Sequence, residues 1–104
     1  MTPQALTALK LSIAHWRRMA EGNRNKGDKP TGSQCALCIE FRKYSSCDGC
    51  PVQIHAGTHM CNCTPYYSAH IAYIDYGPKS PEFKAAARKE LEFLESLLPK
   101  GEKP

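Results

Sequence analysis

The sequence predicts a mainly α fold, a small domain of two or three helices joined to an irregular, cysteine-rich loop region. Three observations predict it. A hydroxyl residue precedes proline at Thr2-Pro3, Thr64-Pro65 and Ser80-Pro81; two long segments repeat apolar residues at helical spacing; and all six cysteines fall within residues 35–63, where periodic apolar residues are few.

The hydroxyl-proline pairs read as helix starts. A Thr or Ser oxygen accepts a hydrogen bond from an orphan N–H of the first turn, and proline suits the first helical position because its missing N–H needed no partner there. The first helix is expected over residues 3–20. Leu6, Leu9, Ile13, Trp16 and Ala20 recur at spacings of 3, 4, 3 and 4, with Lys10, Arg17 and Arg18 outside that stripe. The last helix is expected over 81–98, on a stripe of Phe83, Ala87, Leu91, Leu94 and Leu98, with Pro99 and Gly101 as its stop. These two should pair antiparallel, with Glu90, Glu92 and Glu95 alternating with Arg88 and Lys89 on a solvated face.

The middle helix is expected over 65–76. Tyr66, Ala69 and Tyr73 would share one face and Tyr67, His70, Ile71 and Ile74 another. Its β-branched and aromatic residues also suit a strand, but the Thr64-Pro65 start and the Gly77-Pro78 stop favour a helix. Its tyrosines suit core packing with hydroxyls at the rim better than a platform for stacking bases. Residues 21–34 contain no large apolar residue and read as a loop or linker.

At 104 residues and 11.6 kDa the chain is expected to form one domain, 1–104. A hydrophobic content of 41% with a mean hydropathy of −0.50 fits a soluble globular protein. The first twenty residues lack a basic region ahead of an apolar run and lack a small-residue cleavage site, so no secretory signal is expected. No apolar run approaches the roughly 18 residues of a membrane span. A cytoplasmic location follows as the expectation, and in a reducing cytoplasm clustered cysteines favour metal thiolates over disulfides.

Cys35-Ala-Leu-Cys38 and Cys47-Asp-Gly-Cys50 are two C-x-x-C turns separated by eight residues. Such a turn places two thiolates on one side of an ion, and two turns complete a tetrahedral zinc site with Zn–S distances of about 2.3 Å. Cys61 and Cys63 are also within reach, so Cys35 and Cys38 could be joined by Cys47 and Cys50 or by Cys50 and Cys61. A third arrangement, Cys47, Cys50, His55 and Cys61, is one residue longer than the spacing of nucleic-acid-binding zinc knuckles and lacks their aromatic and glycine positions. His55 and His59 flank Gly57 and read as surface histidines on a loop. An iron-sulfur cluster is the lesser alternative, because the C-x2-C-x2-C run of bacterial ferredoxins is missing.

The metal has a structural rationale. Residues 21–63 offer few large apolar residues, mainly Ile39, Phe41, Tyr44, Val52 and Ile54. Structural zinc contributes roughly 10 to 16 kcal/mol, against a whole-domain stability of about 5 to 15. Zinc would thus stabilise an irregular loop region that burial alone would scarcely order.

Signatures of catalysis are missing. The sequence holds no H-E-x-x-H, no deaminase H-x-E with P-C-x-x-C, no G-x-x-x-x-G-K-[ST] and no G-x-S-x-G, and the C-x-x-C turns lack a βαβ setting. A non-enzymatic role is expected, with no small-molecule substrate evident. Net charge is +4 and the pI about 8.8, a mild excess concentrated in Arg17, Arg18, Arg24, Lys26, Lys29, Arg42 and Lys43. That excess fits an ordinary solvated surface, with contact to nucleic-acid phosphates as the alternative.

The segments IAHWRR, CALC, CDGCPV, TPYY and EFLESLLP, in this order, resemble a group of small cysteine-rich proteins of tailed phages and prophages. The resemblance spans most of the chain. It implies metal ligation by thiols among Cys35, Cys38, Cys47, Cys50 and Cys61, with a small residue in place of Cys63, which makes Cys63 the spare thiol. It carries no activity, and it implies an accessory protein in the cytoplasm of a bacterial host. The expected function is a zinc-binding protein-interaction module whose partner is a host or defence protein, with nucleic-acid binding as the alternative.

Overall fold

The computed structural model describes residues 2–22, 28–30 and 65–102, and among these it is mainly α, with three helices and no strand. They are α1 (Pro3–Glu21), α2 (Pro65–Tyr76) and α3 (Pro81–Ser96).

Both helix starts that fall within the described residues form as their sequences require. Thr2 Oγ1 accepts from the Ala5 N–H at 3.1 Å, and Ser80 Oγ accepts from the Phe83 N–H at 3.1 Å, each with proline at the first helical position. Thr64, the third such residue, lies outside the described residues. The helix α1 ends one residue later than its apolar stripe suggests, at Glu21. Gly22 follows in the left-handed region at φ 78°, and its N–H reaches the carbonyls of Arg18 and Met19. The helix α2 stops at Gly77, φ 89°, whose N–H bonds to the Tyr73 carbonyl at 3.0 Å.

The last helix is shorter than expected, ending at Ser96 rather than residue 98. Leu97 and Leu98 bond to the carbonyls of Leu94 and Glu95, three residues back, so the chain tightens out of α geometry before Pro99.

The order of the ion pairs fixes how α1 and α3 run. Lys10 Nζ pairs with Glu102 Oε2 at 2.9 Å, just past α3, and Arg17 Nη2 lies 3.6 Å from Glu95 Oε2. Advancing along α1 means retreating along α3, so the two are antiparallel. Between them lie Leu9, Ile13, Trp16 and Met19 of α1 and Phe83, Ala87, Leu91 and Leu94 of α3, all buried. Burial at about 25 cal/mol per Å2 of apolar surface makes this seam the main source of stability.

The helix α2 also packs on α3 and completes the same core. Ala69 is buried, with Tyr66, Ala72 and Tyr73 packed against the core. Tyr73 meets Phe83 edge to face with centroids 5.5 Å apart, and Tyr66 meets Trp16 likewise at 6.1 Å.

One expected surface residue is inside. Glu90 is buried, although Arg88, Lys89 and Glu92 around it are exposed. Its position explains why: it lies seven residues after Phe83, three after Ala87 and four before Leu94, on the apolar stripe itself.

Candidate functional site

The six cysteines, with His55 and His59, lie outside the described residues, and so do the ligand sets drawn from Cys35, Cys38, Cys47, Cys50, Cys61 and Cys63. Among the described residues no group of three or more His, Cys, Asp or Glu could hold a metal ion. The two C-x-x-C sequences carry thiol side chains, a donor type that suits zinc.

The described residues do form the base from which the cysteine segment departs and to which it returns. Residues 28–30 lie against the helices. Asp28 accepts from Arg18 twice, Nε to Oδ2 at 3.0 Å and Nη2 to Oδ1 at 3.3 Å. His15 Nε2 stands 3.8 Å from the same Oδ1. His15 and Arg18 are three residues apart on α1, so both reach one carboxylate from one side of the helix. Pro30 is fully buried, and its carbonyl accepts from His70 Nδ1 of α2 at 3.0 Å.

The His70 ring is held on a second side. It stacks on Tyr66, four residues earlier, with centroids 6.0 Å apart and planes 14° from parallel. Tyr66 in turn sits edge-on to Trp16, which neighbours His15 at 6.1 Å. A chain of rings thus links α1 to the first turns of α2, beside Pro30.

A second feature is apolar and faces outward. Tyr67, Ile71 and Ile74 are 50%, 37% and 63% exposed and recur at i, i+4 and i+7 along α2, so they form one strip. Beyond His70 and Asp75, α2 carries no ionisable side chain other than its tyrosines, and it has no Lys or Arg. Its tyrosines divide between two roles. Tyr66 and Tyr73 pack on the core, as expected for rim tyrosines, while Tyr67 and Tyr76 are exposed.

The basic residues read from the sequence are partly engaged within the chain. Arg17 pairs with Glu95 and Arg18 with Asp28. Lys29 is exposed, and Arg24, Lys26, Arg42 and Lys43 lie outside the described residues.

Sequence reasoning missed His15, Asp28 and the role of His70. Tyr66 and His70, expected on different faces, stack because they stand four apart on the helix; the grip on Pro30, forty residues away, had no local signal.

No described helix is long and apolar enough to cross a membrane. Compared with family models, curated proteins and solved structures, the chain matches none of them.

Proposed function

We propose that the chain is a non-catalytic, zinc-binding protein-interaction module, with the outward strip of α2 as its partner-binding surface. The observation that carries this reading is the strip itself. Tyr67, Ile71 and Ile74 stay exposed although α2 buries its other side against α3. An i, i+4, i+7 array of apolar anchors is how a helix lays one face into an apolar groove of a protein. The absence of Lys or Arg from α2 favours a protein groove over a phosphate backbone, and the engagement of Arg17 and Arg18 by carboxylates weakens the nucleic-acid alternative further.

The zinc reading is supported by thiol chemistry: two C-x-x-C turns and further cysteines in a segment with little apolar material of its own. Cys35, Cys38, Cys47, Cys50 and Cys61 are its candidate ligands. In keeping with the phage-type motifs, the partner is a host or defence protein in the bacterial cytoplasm.

Paired capture experiments test the surface. Immobilised wild-type chain and the Ile71→Ser/Ile74→Ser variant are exposed to bacterial lysate at high salt, and bound proteins are quantified. A protein held by the wild type at high salt and lost by the variant supports an apolar groove. A set of bound proteins that is unaffected by the variant, or that dissolves away as salt rises, contradicts it.

A further inference from the structure

We propose that the outward strip of α2 also pairs with the same strip of a second copy of this chain, the two helices antiparallel across a two-fold axis. This rests on the reading of the strip as a binding surface and adds its regulation, because a strip held by another copy is closed to a further partner.

Spacing is the first ground. Tyr67, Ile71 and Ile74 stand 4 and 3 residues apart, the repeat with which two helices pack side by side. With the second helix reversed, Ile71 of each copy lies against Ile74 of the other, so four isoleucine side chains form one apolar cluster about the axis. Tyr67 then covers the Gly77–Pro78 turn of the other copy. A two-fold contact has to be self-complementary, and here the same patch supplies both sides.

Charge is the second ground. Net charge is +4, so most approaches of two copies bring cations together, yet α2 has no Lys or Arg. Asp75, beside the strip, is exposed and pairs with no described residue. In the antiparallel pair Ser68, also exposed, lies beside Asp75 of the other copy, and its hydroxyl can donate to that carboxylate, once on each side of the axis. Opposed helix dipoles favour the same direction.

Length sets the strength of the pair. The 12 residues of α2 span about 18 Å. A contact of that length falls below the roughly 1,200 to 2,000 Å2 that stable interfaces bury. The pair therefore forms and parts with protein concentration, and a partner with a deeper groove displaces one copy by burying more of the same strip.

Sedimentation velocity of the full chain in reducing buffer, from about 10 μM to about 1 mM, tests this. The expected result is a shift from monomer to dimer as concentration rises, absent at every concentration for Ile71→Ser/Ile74→Ser. Ser68→Lys sets a cation beside Asp75 of the other copy and Ser68→Glu a like charge. With two such pairs per dimer, their dimer dissociation constants should differ at least about fivefold at low salt, the Lys variant being the tighter. A chain that is monomeric throughout overturns the pairing, while the partner-binding reading still rests on its own capture experiment. A dimer that the isoleucine variant keeps, or one in which the two Ser68 variants behave alike, also overturns it. The exposed Ser68 variants decide the matter even where the isoleucine variant fails to fold.

Discussion

Tyr73 and Phe83 meet edge to face with ring centroids 5.5 Å apart and planes at 70°, and through this contact α2 is seated on α3. Phe83 is fully buried in the first turn of α3, where the Gly77–Ser80 turn brings the two helices together. Its ring therefore serves both the α1–α3 seam and the α2–α3 contact.

Phe83→Ala is expected to cost about 3 to 5 kcal/mol, because it removes a buried ring and leaves a cavity between three helices. Urea unfolding followed by circular dichroism measures it. A loss below about 1 kcal/mol would mean that the ring does not fill the core as described.

The start of α3 gives a smaller and sharper test. Ser80 Oγ accepts from Phe83 N–H and donates to the Gly77 carbonyl at 2.8 Å, so one hydroxyl joins the turn to the helix. Ser80→Ala should cost about 1 kcal/mol. In a domain of this size that lowers Tm by roughly 4 to 8 °C, read from thermal melts.

These two positions show where the sequence was legible. Thr2-Pro3 and Ser80-Pro81 announced their helices because capping is local, settled within four residues of chain. The apolar stripes announced the core because helical spacing places such residues on one side; Leu9, Ile13, Trp16, Phe83, Leu91 and Leu94 are all buried. Glu90 is the exception, because its residue type points to solvent while its spacing from Ala87 and Leu94 puts it on the stripe, where it is buried. The candidate site was less legible. Asp28 and Pro30 sit in a stretch without large apolar residues, and their partners on α1 and α2 are set by tertiary proximity, which no spacing reports.

The Asp28 carboxylate and the Arg18 guanidinium form a two-bond pair in which Asp28 is largely buried and Arg18 about a third exposed. A double-mutant cycle with Arg18→Ala and Asp28→Ala should return a coupling of about 1 to 2 kcal/mol, above the value for exposed pairs. Additive losses would show that residues 28–30 are not held by this pair.

The outward strip of α2 makes the opposite prediction for stability. Ile71→Ser and Ile74→Ser should change unfolding free energy by no more than about 0.5 kcal/mol each, since exposed side chains contribute little to the fold. Denaturant titration of each variant checks it. A loss of about 2 kcal/mol or more would place these residues in the core and remove the proposed binding surface.

Whether the cysteine segment holds zinc is decided by elemental mass spectrometry of the chain purified without added metal, with thermal melts before and after chelation. About one zinc per chain and a lower Tm once the metal is withdrawn are expected. Protein that carries no metal and melts identically with and without chelator would contradict zinc binding by that segment.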